Sequence, residues 1–300
     1  MNLCVEADNF DDLFRVALRT LVDHGAHASP RGIGVIEIRR PVVLVLTNID
    51  RPFLISRARN PYYRFGLVET AWILSGSDSV EPLERFVPRM ENFSDDGSTL
   101  WGAYGPRLIT QLDHVLESLR KDTFTRQAVV TPWRPSEGAL IVSKDIPCTV
   151  ALHFQARDGR LDLRVFMRSN DVWTGLPYDV LAFTTIQRVV ASAVGMVPGE
   201  YIHIADNLHL YDDNLKSALK VLDEPAPLRG ENPTFPDICL FNGDDAKSIA
   251  KKFEAVFVAE RPVHFKLQDF MAAYEKLRSP LLDSIRSATN SVARSVIYEG

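Results

Sequence analysis

An α+β fold, built as a mixed β-sheet with helices packed against it, is what this chain predicts, on three observations. Segments with apolar residues at helical spacing are interspersed with β-rich runs. Two of those runs flank Asp158-Gly159, a strong hairpin signal. No repeat, low-complexity tract or linker divides the sequence, and 300 residues with 46% apolar and 24% charged content can bury one large core or two small ones. Residues 1–300 are therefore expected to form one domain.

The elements follow in order. Phe10, Leu13, Phe14, Ala17, Leu18 and Leu21 recur at helical spacing behind the possible caps Asp8 and Asn9, predicting a helix that ends near Gly25. Ser29 to Gly34 reads as a loop carrying one cation, Arg31, followed by β-rich Val35 to Ile38 and Val42 to Leu46. Tyr63 to Leu74 is a helix whose apolar positions surround a carboxylate, Glu69, which lies either at the helix edge or buried. Asn92 to Gly97 is a loop by its turn chemistry, and Leu108, Leu112, Val115, Leu116 and Leu119 mark another amphipathic helix. Arg126 to Pro132 reads as a strand beginning on a cation. Val150 to Gln155 and Leu161 to Met167 form the hairpin, Leu176 to Val194 a buried central helix, Glu200 to Ala205 a strand, and Leu210 to Leu222 a helix. Beyond Glu224 four prolines mark a loop-rich segment, and Phe265 to Arg278 is a helical piece without recognisable chemistry.

Charge and cysteine usage exclude several classes. A net charge of -5 argues against polymeric nucleic acid as the main partner, because phosphate tracking needs a clustered basic surface; a single small anion remains easy to hold. Cys4, Cys148 and Cys239 are odd in number and widely spaced, which predicts neither a disulfide frame nor a zinc site and fits a reducing compartment. No apolar run approaches the roughly 18 residues needed to span a bilayer, and the N-terminus lacks a signal pattern, so a cytoplasmic protein is expected.

The chemistry concentrates between Ile146 and Tyr211. Ile146-Pro147-Cys148-Thr149 offers a thiol, and Arg168-Ser169-Asn170-Asp171 a guanidinium, a hydroxyl and a carboxylate. Gly175-Leu176-Pro177-Tyr178-Asp179 adds a carboxylate after a turn, and His209-Leu210-Tyr211 pairs two hydrogen-bonding rings on one side of an extended backbone. This is a site for an anionic, hydrogen-bonding ligand beside a nucleophile. In identity and order these pieces resemble the catalytic half of thymidylate synthases and their pyrimidine-nucleotide hydroxymethylase relatives, over about residues 10 to 222.

The resemblance implies a thymidylate-synthase-like α+β domain, a homodimer built through the sheet, and roles for single residues. Cys148 would be the nucleophile that adds to C6 of a pyrimidine, with Arg168 lowering its pKa. Arg168 and Ser169 would clamp the phosphate, completed by Arg31 and by Arg126 from the neighbouring chain; where the family has a second arginine, this chain has Gln127. Glu69, in Glu69-Thr70-Ala71-Trp72-Ile73-Leu74-Ser75-Gly76, would be buried and handle protons through water, its pKa raised toward the working pH. Tyr104, in Trp101-Gly102-Ala103-Tyr104-Gly105, belongs to the substrate site. Asp171 would contact base and folate region, Gly175 would turn beside the base, and His209 and Tyr211 would bond a sugar hydroxyl.

The family takes a one-carbon unit from 5,10-methylenetetrahydrofolate and uses no metal. Synthases finish with hydride and make a methyl group; hydroxymethylases admit water and make CH2OH. The family's tryptophans are absent around Phe93 and Ser94, Thr149 replaces a His after the nucleophile, and Ile297-Tyr298-Glu299-Gly300 is unlike the apolar tail of synthases. Each departure loosens the dry environment that hydride transfer requires. Asp179 stands where synthases place an Asn to pair with uracil, and a carboxylate accepts from the N4 amino group of cytosine and can hold an N3 proton. The expected activity is therefore hydroxymethylation of a cytidylate, CMP or dCMP. The alternatives are reductive methylation of dUMP and, from another class, a nucleotide- or RNA-binding relative without turnover.

Overall fold

The computed structural model describes residues 3–137, 141–225, 235 and 241–258. The expected helix over Phe265 to Arg278, the terminal residues Ile297 to Gly300, and Cys239 lie outside them. In chain order the elements are β1 (Cys4–Ala7), α1 (Phe10–His24), β2 (Ala26–Ala28), β3 (Val35–Ile38), β4 (Val42–Leu46), α2 (Tyr63–Leu74), α3 (Glu81–Glu84), α4 (Tyr104–Lys121), β5 (Val129–Val130), β6 (Thr149–Arg157), β7 (Arg160–Met167), β8 (Asn170–Asp171), α5 (Leu176–Ala193), β9 (Val197–Ala205), β10 (Leu208–Tyr211), α6 (Asp212–Asp223) and α7 (Ala246–Val258). Short 3-10 helices occupy Pro30–Gly32 and Pro88–Phe93.

The strands form two sheets where one was expected. The larger is mixed, in the order β1-β4-β9-β7-β6-β5; the smaller runs β2-β3-β10-β8. One face of the larger sheet is covered by α5, on which α2 packs, with α4 and α7 beyond it. α1 bridges the sheets, touching β1, β3, β4 and β10. A continuous apolar cluster runs through these layers.

Local chemistry accounts for most of the elements. Asn9, not Asp8, caps α1, its Oδ1 accepting from the Asp12 N–H at 2.9 Å. Asp158 and Gly159 both take positive φ (51° and 76°), the primed turn whose twist suits the β6–β7 hairpin. α5 is buried nearly all round, and two of its long polar side chains tie it to neighbouring segments. The Gln187 amide donates to the carbonyls of Leu161 and Glu200, and the Arg188 guanidinium to Ile49 O and the Asp50 carboxylate.

Two segments differ from expectation. The chain stays extended through Tyr211 because Leu210 and Tyr211 pair with Ile36 and Val35 of β3, so α6 starts at Asp212 rather than Leu210. Strand pairing similarly overrides the β-like pattern at Arg126 to Pro132, where only Val129 and Val130 join the ladder, opposite His153 and Leu152. Arg126 lies in a turn, held by the Phe124 N–H on Asp122 Oδ1 (2.8 Å) and the Gln127 N–H on Thr125 Oγ1 (3.2 Å).

Candidate active site

Cys148 sits at the last residue before β6, where Pro147 ends a loop. That loop is clamped from two sides. The Gly102 N–H donates to Asp145 Oδ2 at 2.8 Å, and a Cβ at Gly102 would approach the Asp145 carbonyl oxygen to 2.9 Å, so the backbones meet this closely only at a glycine. Farther back, buried Arg107 and Glu137 form an ion pair at 2.5 Å, and Arg107 also donates to the carbonyls of Pro132 and Trp101. Gly102 lies two residues ahead of α4, and Tyr104 and Arg107 lie in its first turn, so the entry to this helix carries both the clamp and a site residue.

Arg168 follows β7 and reaches back to the thiol. Its Nε donates to Pro147 O (3.0 Å), its Nη2 to Ile146 O (3.2 Å), and its Nη2 lies 3.7 Å from Cys148 Sγ. The Arg168 N–H also donates to Cys148 O at 2.9 Å, fixing one backbone against the other. Trp133 stacks on the guanidinium at 5.3 Å, a cation–π contact that orients it. Burial nevertheless pushes the Cys148 thiol above its usual range. Arg168 and, more weakly, Arg31 pull it down, while Asp179 and Asp145 push it up. The expected lowering is therefore a real contribution that desolvation outweighs, and the thiol of the ligand-free protein is protonated at neutral pH.

Two carboxyls share the interior. Glu69 on α2 keeps part of its surface open yet is set deep enough that burial raises its pKa to about 8, with the Asp179 charge adding to the rise. Glu69 is thus neither a solvated edge residue nor sealed in the core. Asp179, in the first turn of α5, is raised to about 7, first by burial and then by Asp171, against a hydrogen bond from Asn170. That bond runs from Asn170 Nδ2 to Asp179 Oδ2 at 2.7 Å. Asp179 Oδ1 is neither paired nor sealed off among the described residues. Tyr104 stacks on Phe183, and its hydroxyl accepts from the Thr149 N–H at 3.3 Å. Burial and the nearby Asp179 and Cys148 raise its pKa. Asp179 thus acts electrostatically on Glu69, Cys148 and Tyr104, residues from three other parts of the chain.

His209 and Tyr211 lie on one face of β10, their rings edge to face at 5.3 Å. Asn207 Nδ2 donates to Glu37 Oε2 (2.9 Å), which turns Asn207 Oδ1 toward His209 Nδ1 (3.1 Å). The His209 Nδ1 then carries the proton, and Nε2 is left as an acceptor. Burial keeps His209 neutral by lowering its pKa. Arg31 adopts a left-handed backbone (φ 54°), directly before Gly32 (φ 79°), in an exposed turn whose charge reaches both Cys148 and His209.

Not every expected site residue is free for a ligand. Asp171 accepts from the N–H groups of Trp173 (2.9 Å) and Thr174 (3.2 Å) and from the Thr174 hydroxyl, so its carboxylate shapes its own turn. Gly175 stands where that turn enters α5; a Cβ there would lie 3.3 Å from Asp179 Oδ2 and 3.4 Å from Asn170 Nδ2. The hydroxyls of Ser169 and Tyr211 make no hydrogen bond among the described residues. Arg126 is exposed, without an ion pair among the described residues. Sequence reasoning missed Asn170, Asn207 and Trp133. Asn170 lies inside the Arg168-Ser169-Asn170-Asp171 motif and Asn207 two residues before His209, and those positions were the available signal.

Residues 13–255 match the family model for thymidylate synthase. A deoxyuridylate hydroxymethyltransferase of Pseudomonas phage M6 is 33% identical over 242 residues, 77% of this chain and 68% of that protein. A protein of the same name from Bacillus phage SP01 is 35% identical over 221 residues, covering 67% of this chain and 57% of its own length. With the family model spanning most of the chain and the Pro-Cys, Arg-Ser-x-Asp and His-x-Tyr segments folded around one thiol, the chain belongs to the thymidylate synthase family.

Proposed function

We propose that the protein hydroxymethylates C5 of a cytidylate, with Cys148 as nucleophile and 5,10-methylenetetrahydrofolate as the source of the one-carbon unit. The observation that carries the choice of base is the unpaired Asp179 Oδ1, an acceptor left open beside the thiol while its partner oxygen is held by Asn170. An oxygen of that kind suits the N4 amino group of cytosine. In the proposed cycle the Cys148 thiolate adds to C6, and the electron pair passes to C5, which bonds the one-carbon unit. Loss of the C5 proton breaks the bond between that carbon and the folate nitrogen and releases tetrahydrofolate, leaving an exocyclic methylene. Water adds to the methylene carbon, and the electron pair returned through C5 expels the Cys148 thiolate from C6. Glu69, with its pKa near 8 and open surface, is suited to pass protons between water and the pyrimidine. Arg168, Ser169 and Arg31 are read as the phosphate clamp, and His209 Nε2 and the Tyr211 hydroxyl as partners of the sugar.

The reading includes a homodimer of the whole chain, residues 1–300, joined through the open face of the larger sheet. Val43, Ile204, Phe166 and Ala151 form one cross-strand row there, and Val45, Ile202, Arg164 and His153 the next. Phe166 is 44% exposed, while Arg164 Nη1 and His153 Nε2 are buried without partners among the described residues. Exposed Arg126 would then reach the partner's phosphate site.

The names of the phage relatives favour a second reading, hydroxymethylation of deoxyuridylate. Incubation with CMP, dCMP and dUMP plus methylenetetrahydrofolate, followed by mass spectrometry, tests both. A product heavier than a cytidylate by one CH2O group is expected. Product from dUMP alone would establish the second reading, a methyl product with dihydrofolate the synthase reaction, and no product with bound nucleotide a non-catalytic role.

A further inference from the structure

Asn170 is 3% exposed and belongs to the short strand β8, where its N–H donates to Asn207 O at 2.9 Å. The backbone is thereby fixed, and the side chain points its amide nitrogen at Asp179 Oδ2, 2.7 Å away. The amide's own Oδ1 is buried and has no partner among the described residues. An orientation that leaves the carbonyl unpaired persists because the carboxylate dictates it, an N–H bond to a charged acceptor being about twice as strong as one between neutral groups. Gly175 leaves room beside the pair, since a Cβ there would crowd Asp179 Oδ2 at 3.3 Å and reach contact with Asn170 Nδ2 at 3.4 Å.

We propose that Asn170 is a positioning residue that holds Asp179 by Oδ2, so that Oδ1 alone is offered to the pyrimidine and is where Asp179 gains or loses its proton. The inference rests on the reading that Asp179 faces the base, and it assigns the reason a single oxygen does so. A carboxyl free to rotate presents either oxygen, and a proton on the wrong one faces the protein instead of the ligand. The groups around Asp179 supply no alternative anchor. Glu69 from α2, Tyr104 from α4, Cys148 ahead of β6, Tyr201 from β9 and Asp171 at the end of β8 are acidic or neutral. Burial and Asp171 both disfavour the ionised form of Asp179, and Asn170 is the group that favours it.

The test is the titration of Asp179 in the full-length protein without substrate, followed by carbon NMR with labelled aspartate and assigned through Asp179→Asn. In Asn170→Leu, which keeps the volume but not the amide, the proton affinity of Asp179 should rise roughly tenfold. Asn170→Thr, which restores a donor, should lie between Asn170→Leu and the parent, and it serves as the comparison if the leucine variant does not fold. An Asp179 titration that is the same in all three proteins overturns the proposal. Kinetics then add a readout that a packing role would not move: the acid limb of kcat/KM in Asn170→Leu should shift upward by the same factor, with activity recovering at high pH. A uniform loss of rate at every pH overturns the positioning role. The choice of base is judged separately, by Asp179→Asn, so that reading can fail while the titration result stands.

Discussion

Replacing Asp179 by Asn exchanges one oxygen for an amino group, and the neighbouring amide decides which one. Asn170 Nδ2 sits 2.7 Å from Oδ2 and needs an acceptor there, so the new side chain turns its carbonyl oxygen to Asn170 and its NH2 toward the cleft. On the proposed reading, in which Asp179 faces position 4 of the pyrimidine, the wild-type protein offers an acceptor there and the variant a donor. Cytosine N4, a donor, then faces a donor, while uracil O4 gains a partner. Opposing two like groups in a desolvated site costs roughly 1.4 to 2.8 kcal/mol, a factor of about 10 to 100. The wild type disfavours uracil by one such factor and the variant disfavours cytosine by another. The ratio of kcat/KM values for cytidylate and uridylate should therefore fall by about 100-fold or more. The wild-type ratio should also depend on pH. With a pKa of about 7, Asp179 is an acceptor above neutrality and carries an O–H that can donate to O4 below it, so preference for cytidylate should sharpen as pH rises through 7. Steady-state kinetics with both nucleotides, from pH 6 to pH 8.5, measure both effects. If the substitution leaves the ratio unchanged, Asp179 does not read the base, and the assignment to cytidylate loses its support.

Cys148→Ser should abolish turnover while nucleotide binding, measured by calorimetry, stays nearly intact, because a hydroxyl is little different in size but far less nucleophilic. If the proposed dimer forms, inactive Cys148→Ser protein mixed with inactive Arg126→Glu protein should regain activity on subunit exchange, each mixed dimer having one site with both lesions and one with neither. Proven exchange without recovery would remove Arg126 from the partner's site. Asp179→Asn should also stabilise the fold at alkaline pH. A carboxyl whose folded pKa is raised binds its proton more tightly when folded, so it costs stability as pH climbs from the usual carboxylate range through about 7. The melting temperatures of variant and wild type should coincide near pH 4, separate between pH 4 and 7 and stay apart above that, by the equivalent of up to about 4 kcal/mol.

How far the sequence reveals these features depends on the range of the interaction that creates them. The helix Tyr63–Leu74 and the hairpin around Asp158-Gly159 were legible because periodicity and turn chemistry are local. β1, β2 and β8, of two to four residues, carry no periodicity of their own and exist as partners of β4, β3 and β10. The same dependence on pairing kept Tyr211 in a strand and Arg126 out of one. At the site, Cys148, Arg168 and His209 could be picked out by order and residue type. Their resemblance to a family carried that reading, since no period or spacing marks a thiol as a nucleophile. Asn170 and Asn207 escaped because an asparagine acquires meaning only from what its amide faces, here Asp179 and His209. Asp171 was read as a ligand contact, yet its carboxylate is taken up by the turn that follows it, a use set by backbone N–H groups two and three residues ahead.

Charge in the site is graded, and the gradient bears on how a nucleotide would lie. Arg31 and Arg168 are exposed, and both lower the pKa of Cys148. Glu69 and Asp179 lie deeper, each raised by burial to near or above neutrality. A phosphate entering head first would have to sit among groups that already resist ionisation, where the Asp179 charge adds to the burial that raises the pKa of Glu69. A base entering first meets hydrogen-bonding groups that are partly protonated at neutral pH, while its phosphate stays with the guanidinium groups. Cys148 is the residue on which the two guanidinium groups and Asp179 act in opposite directions. Its thiol is held protonated by burial in the free protein, so any thiolate must form within a cleft already containing ionisable acids. A neutral Glu69 or Asp179 makes that ionisation easier than two carboxylates would. The raised pKa values of the carboxyls and the availability of the nucleophile are then one electrostatic arrangement, in which deprotonating the acids too early would hold the thiol neutral.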